Sequence, residues 1–321
     1  MKTPLTIDEQ VRRNKQKTAL VFVFMGLLLA AVVTAAGLVM ALPWYLSLGI
    51  GLLGGLLYLL ITSASSVSAI LAAARARPAN PNVREEKLLM FRVEELSIAA
   101  GIPQPKVYIQ ESRDINAFAA GRNPKEAVVC FTTGAITQLK QEELEGIVAH
   151  ELSHIKNYDV RLATVTLAVV GMIALIAEIV LRFMWYGGRH ARGGGGRGGG
   201  QAALILFVIA IVFIILAPIF SRLVYFALSR RREYLADASG AMLTRNPGGL
   251  ASALERILND VPDDPKGART ISGLYFANPY LRRHRDNIFA THPPLAKRIE
   301  VLTGRPYQSQ LAASPSRALP P

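Results

Sequence analysis

The residues of this chain best suited to chemistry are two histidines four apart with a glutamate between them, His150-Glu151-Leu152-Ser153-His154. On a helix, positions i and i+4 share one face, so both imidazoles can reach one metal ion. Glu151 can approach a water held at that ion. Two nitrogen ligands, and a carboxylate placed to take a proton from the nucleophile, are what a hydrolytic zinc site requires. The chain holds only five histidines in 321 residues, so the pattern is seldom met by chance. The bland alternative is a surface helix whose histidines face solvent.

The flanks predict a helix starting near Gln141. Leu144, Val148, Leu152 and Ile155 form one apolar stripe with Ile147 at its edge, and the two histidines fall away from it. Glu142, Glu143 and Glu145 lie in the first turn, where negative charge suits the helix dipole. Gly146, one turn before His150, reads as room left beside the metal. A catalytic zinc needs a third protein ligand and an open position. Glu233-Tyr234-Leu235-Ala236-Asp237 offers one. Glu233 and Asp237 share a helix face, and Ala236 is small enough for close approach. Glu233 is the candidate metal ligand, and Asp237 the candidate partner that orients an imidazole. Taken alone, this helix serves equally well as a solvated charged face.

The elements that must position these groups are unusual in composition. The chain is 51% hydrophobic, and its mean hydropathy is positive at +0.30. Between 18 and 74 there is no charged residue, roughly twice the length one bilayer span needs. Pro43-Trp44-Tyr45 breaks the run, which predicts a helical hairpin with spans near 18–41 and 46–73. Further apolar runs at 162–177 and 201–221 predict a third and fourth span, the third being the weakest. Between them lies a glycine-rich loop over 187–200. The net charge of +13 comes largely from basic residues beside the apolar runs: Arg12, Arg13, Lys15 and Lys17, then Arg75 and Arg77, then Arg230-Arg231-Arg232. This is the positive-inside pattern, and anionic lipid rather than nucleic acid is the partner it implies. It places both termini and the histidine motif in the cytoplasm. Arg182, Arg189, Arg192 and Arg197 run against that topology.

The remaining segments predict a soluble part on either side of the last two spans. A helix over 82–100, ended by Gly101 and Pro103, precedes three strand-like stretches at 106–110, 115–120 and 127–132. Cys130, the only cysteine, falls inside the last of these and reads as a buried small hydrophobe. Later helices are predicted over 230–243, 250–258 and 294–303. The fold class is therefore α+β and mostly helical: four transmembrane helices and a cytosolic domain that carries the histidine motif and a small β-sheet. The domains are a basic N-terminus (1–17), the hairpin (18–74), a first cytosolic part with the sheet and the histidine helix (75–161), the third and fourth spans (162–229), a second cytosolic part with the candidate third ligand (230–304) and a disordered tail (305–321). The charges around His150 keep the site out of hydrocarbon.

Four blocks together make a family recognisable. They are Asn116-Ala117-Phe118-Ala119 with Gly121-Arg122-Asn123-Pro124, the run from His150 to Asn157, the run from Arg232 to Ala238, and Thr291-His292-Pro293-Pro294 with Arg298. In order and spacing the chain, from about 70 to 303, resembles the HtpX-type membrane zinc metallopeptidases, gluzincin relatives of the prenyl-protein processing peptidases. The resemblance implies one zinc ion per chain on His150, His154 and Glu233, with Glu151 as the catalytic base. It also suggests His292 or Arg298 as the oxyanion donor, His292 being preferred and Arg298 reading rather as a structural salt bridge. Asn116, Ala117 and Phe118 are the candidate substrate-binding strand, pairing with an extended peptide by strand addition.

The expected function is a multi-pass zinc endopeptidase of the bacterial inner membrane with its site facing the cytoplasm. It would act on unfolded or membrane-protein polypeptides in stress-related quality control, with membrane lipids and further copies of itself as partners. The alternative is a non-enzymatic membrane scaffold or transporter subunit with a structural metal site.

Overall fold

The computed structural model describes residues 42–164, 230–260, 274–277 and 293–307, together with isolated positions between 9 and 34. Helix α1 (Trp44–Ala74) starts directly after Pro43 and runs for 31 residues, about 46 Å at 1.5 Å per residue. That exceeds a hydrocarbon core of roughly 30 Å. The surplus has a use. Trp44–Ile61 is apolar and largely unburied, whereas Ile70 and Ala74 at the other end pack onto the sheet with Val67 and Leu71 beside them. Among the described residues α1 is the one helix long and apolar enough to cross a membrane. Small residues let other helical positions come close. A Cβ on Gly55 would stand 2.8 Å from the Gly26 carbonyl oxygen. The other predicted spans fall mostly outside the described residues: 18–41 is covered only in part, 162–177 beyond its first three positions not at all, and neither 201–221 nor the loop at 187–200.

After α1 the chain turns at Arg75, in a left-handed conformation (φ 52°), and enters a four-stranded mixed sheet. Its strands are β1 (Arg77–Pro78), β2 (Lys106–Gln110), β3 (Ala117–Ala120) and β4 (Val128–Thr132), in the order β1-β2-β4-β3. β2 and β4 are parallel, and the outer strands pair antiparallel. Side chains alternate across the sheet with the period of two that strands impose. Val107, Ile109, Ala117, Ala119, Val129 and Phe131 enter the main core. Tyr108, Phe118, Ala120, Val128 and Cys130 face the end of α1.

The main core is closed by helices on that first face. α2 (Arg84–Ala100) buries Leu89, Val93 and Leu96 but leaves Leu88 and Phe91 exposed. α3 (Thr133–Gln138), a short helix capped by the Thr132 hydroxyl, is not predicted from the sequence. α4 (Gln141–Lys156) carries the histidine motif. α5 (Arg230–Thr244) and α6 (Pro247–Asn259) pack on α4 and on each other, and α7 (Leu295–Thr303) packs on α5 and α6. Strand β3 is shorter than the predicted 115–120: the Asn116 N–H donates to the Thr132 hydroxyl (3.0 Å) rather than to a backbone carbonyl of β4.

Gly146 requires a correction. A Cβ there would lie 2.8 Å from the backbone of Leu250, so the missing side chain admits α6 rather than a metal. Glu143 anchors the start of α4. Its carboxylate accepts the Lys140 backbone N–H (2.8 Å) and the Ser252 hydroxyl (2.6 Å) and pairs with Arg256 (3.1 Å). One residue thus caps α4 and ties it to α6.

Candidate metal centre

α4 is buried nearly all round, and its histidines do not face solvent. His150 is 1% exposed. The Nε2 atoms of His150 and His154 lie 3.1 Å apart, as one helical turn dictates. α5 supplies the third corner: the Glu233 carboxylate oxygens stand 3.7 Å from His150 Nε2 and 3.5 Å from His154 Nε2. These three residues form a group that could hold a metal ion, with one ligand atom each, all within 4.8 Å of one another. Tetrahedral zinc with bonds of about 2.0–2.1 Å separates neighbouring ligand atoms by roughly 3.3 Å. The two histidine nitrogens, 3.1 Å apart, match that value; the Glu233 distances of 3.7 and 3.5 Å run to its Oε2 and Oε1 respectively, so the carboxylate straddles the pair and the donor set fits the ion.

The close approach of α5 has a sequence cause. Ala236 is fully buried, and a Cβ on Gly240 would sit 3.0 Å from the His150 backbone nitrogen. Ala236 is readable as a small residue near the site; Gly240 lies one turn beyond the motif and carries no signal of its own.

Both rings are held from behind. Asp237 Oδ1 lies 2.9 Å from His150 Nδ1, and Arg298 clamps the same carboxylate at 2.6 and 2.8 Å. Arg298 is fully buried. It donates to the Phe276 carbonyl (3.2 Å) and lies over the Phe276 ring. Asp159 Oδ2 lies 3.2 Å from His154 Nδ1. Each Nδ1 thus faces a carboxylate, which assigns it the proton and leaves both Nε2 lone pairs to the shared centre. Asp159 is absent from the predicted site. It stands five residues after His154, beyond the helix, and reaches back only because Tyr158 adopts a left-handed conformation (φ 58°). Its aspartate type near the motif was the available signal.

The electrostatics suit a dication. Glu151, Glu233, Asp237 and Asp159 face Arg298 and Arg232, which leaves two negative charges when the imidazoles are neutral and every carboxyl is ionised. Burial pushes His150 down to about 4, so it is neutral over the physiological range. Burial also acts downward on His154, but the Asp159 hydrogen bond and the charge of Glu233 outweigh it and raise this ring to about 9. Burial pushes Glu151 up to about 7, opposed by the charge of His154 and by a hydrogen bond from the Ala119 backbone. Burial works against ionised Asp237 too, yet Arg298 and His150 hold its carboxyl well below the usual range.

The predicted substrate strand is occupied from within. Asn116 Nδ2 donates to the Ala277 carbonyl (2.7 Å), and its Oδ1 accepts the Ala277 N–H (3.2 Å). The Ala117 carbonyl accepts from the Phe276 N–H at 2.7 Å. Phe118 packs edge-on against Tyr275, and all three strand residues are buried. This stretch of the edge therefore holds residues 274–277, and through them the Phe276 ring against His150 (4.8 Å between centroids). A peptide cannot pair there in this conformation. No pattern marks residues 274–277 in the sequence. His292 lies outside the described residues.

The profile of peptidase family M48 matches residues 84–306, which include every group named above. The chain belongs to peptidase family M48. Within the family it is similar to a "Protease HtpX homolog" of Listeria monocytogenes serotype 4a (strain HCC23), 40% identical over 299 residues covering 92% of this chain and 98% of the relative. One from Lactobacillus helveticus (strain DPC 4571) is 39% identical over 295 residues with the same coverage. The HtpX-type resemblance read from four short blocks thus extends over nearly the whole chain. Among solved structures, the crystal structure of S. mikatae Ste24p matches with a TM-score of 0.44 and 16% identity, covering 91% of this chain and 66% of that one. In this M48 chain, the His150, His154 and Glu233 group and the buried Glu151 lie inside the family match.

Proposed function

We propose that this M48 protein is a membrane-integral, zinc-dependent endopeptidase. The observation that carries the reading is the pairing of a zinc-sized triangle with a buried acid, Glu151, raised to about 7. A purely structural metal site has no use for that carboxyl.

His150, His154 and Glu233 would hold the ion, which when bound would supply a water ionisable near neutral pH and Lewis-acid polarisation of a carbonyl. Glu151 takes the proton of the attacking water and returns it to the leaving amine. A carboxyl poised near 7 can do both, because it holds and releases a proton at working pH. Asp237 with Arg298 keeps His150 oriented, and Asp159 does the same for His154. His292 is the proposed oxyanion donor. Asn116, Ala117 and Phe118 act by seating residues 274–277 rather than by touching substrate.

The setting is the bacterial inner membrane, with four spans and the site facing the cytoplasm. The positive-inside charge pattern supports this, and so does α1, the second predicted span, which both suits a bilayer and docks on the sheet. The substrates are unfolded or membrane-protein chains, cleaved in quality control.

The test uses full-length protein in detergent or nanodiscs. Wild type should bind one zinc per chain and cleave an unfolded polypeptide. Glu151→Ala should keep the zinc and lose the cleavage. Zinc-loaded wild type without turnover would favour a scaffold instead.

A further inference from the structure

We infer that Asp159 and Arg232 form a latch that positions two of the three metal ligands at once. The inference rests on the zinc reading above, in which Asp159 orients His154, and adds the link from Asp159 to Arg232 on α5. Asp159 uses one carboxylate oxygen for His154 Nδ1 (3.2 Å) and the other for Arg232 Nη1 (3.4 Å). Arg232 is the immediate neighbour of Glu233 on α5. One aspartate therefore joins the ring of the second ligand to the helix that carries the third, across 73 residues of chain.

The geometry explains why a latch is useful here. Consecutive helical residues point about 100° apart. Fixing Arg232 against Asp159 restrains the rotation of α5 as well as its distance from α4, and so sets the direction in which the Glu233 side chain leaves the helix. The other end of α5 is already set by Gly240 against the His150 backbone and by Asp237 on His150 Nδ1. At His154, α5 also meets α4 through Glu233 itself (3.5 Å), and the latch adds a contact that does not pass through the ligand atoms. His154 is the more exposed of the two rings, with 13% of its side chain accessible against 1% for His150, so it depends more on its hydrogen bond. The latch is partly sheltered, with side chains 8% and 11% exposed, so solvent screens it little. At 3.4 Å the Arg232 contact is an ion pair rather than a tight hydrogen bond, so its effect should be the smaller of the two.

The experiment measures zinc affinity of full-length protein by competition with a chromophoric chelator, for wild type, Asp159→Ala, Asp159→Asn, Arg232→Gln and the Asp159→Ala/Arg232→Gln double variant. Loss of an outer partner of a ligand should weaken zinc roughly 10–100-fold in Asp159→Ala. Asp159→Asn keeps an acceptor for His154 Nδ1 and should recover part of that loss, which a generic destabilisation would not do. Arg232→Gln should weaken zinc by a smaller factor, and that factor should vanish in the Asp159→Ala background. Zinc binding by Asp159→Ala within twofold of wild type would overturn the latch. An undiminished Arg232→Gln effect in the double variant would do so as well. If Asp159→Ala does not fold, Asp159→Asn and Arg232→Gln decide, and wild-type affinity in both rejects the inference. A wild type that binds no zinc would instead sink the underlying reading.

Discussion

Gly240 lies against the backbone of His150, where a Cβ would come within 3.0 Å of the nitrogen and 3.2 Å of the Cα. This contact sets how close α5 stands to α4, and so how large the ligand triangle is. Gly240→Ala would gain up to about 1 kcal/mol of helix propensity and lose about 1–3 kcal/mol to overpacking. Net stability should fall by about 0–2 kcal/mol. Both neighbours are backbone atoms of a buried helix, so α5 must move out by a few tenths of an ångström and carry Glu233 away from the histidines. Zinc affinity should fall several-fold, while the thermal midpoint of the metal-free protein drops by no more than about 10 °C. Unchanged affinity would show that Gly240 does not gauge the site.

Arg298 is fully buried against Asp237. Removing one partner of a buried pair leaves the other charge uncompensated, at a cost of about 3–5 kcal/mol. Arg298→Met should therefore lower the thermal midpoint strongly. Asp237→Asn/Arg298→Met, which removes both charges, should be less destabilised than Arg298→Met alone. Thermal melts of the metal-free proteins check this, and equal losses in single and double variants would refute it.

These two positions also show what could be read from the chain before its fold was known. Local spacing was enough for the histidine pair and Glu151, which one helix places together; Glu233 and Asp237, on a helix that alone read equally well as a solvated face, needed the family resemblance as well. Lys106–Gln110 was legible because its flanks carry turn residues. Asp159 and residues 274–277 were not. Asp159 joins His154 after a left-handed Tyr158, and Phe276 reaches Ala117 across about half of the chain. Gly146 was read for the wrong neighbour, because a missing side chain does not say which helix fills the gap. Long-range partners depend on how α5, α6 and α7 stack, which no local pattern encodes.

Metal binding should depend on pH with a defined sign. In the metal-free protein His154 is raised to about 9, whereas His150, lowered to about 4, is already neutral. A ligating imidazole must be neutral, so below about pH 9 zinc has to displace the His154 proton. Affinity should rise with pH, by up to tenfold per unit below about 9, and level off above. Calorimetry in buffers of different ionisation enthalpy should record close to one proton released per zinc at pH 7. A flat affinity between pH 6.5 and 9 would contradict the His154–Asp159 pairing as the origin of the shift.

Glu143 separates support of the helix from support of the site. It caps α4 through the Lys140 N–H and holds α6 through Ser252 and Arg256, two turns away from His150. Glu143→Ala removes a cap worth about 0.5–2 kcal/mol and strands the Ser252 hydroxyl, which adds to the loss. The exposed side of Arg256 limits what its ion pair contributes. The metal triangle is fixed independently, by Gly240, Asp237 and Asp159. Glu143→Ala should therefore lose about 1–3 kcal/mol in denaturant unfolding of the metal-free protein. Its zinc affinity in the folded state should stay within about threefold of wild type. A tenfold loss of affinity would mean that the start of α4 and the centre at His150 are one cooperative unit, and that the site is not held by its local partners alone.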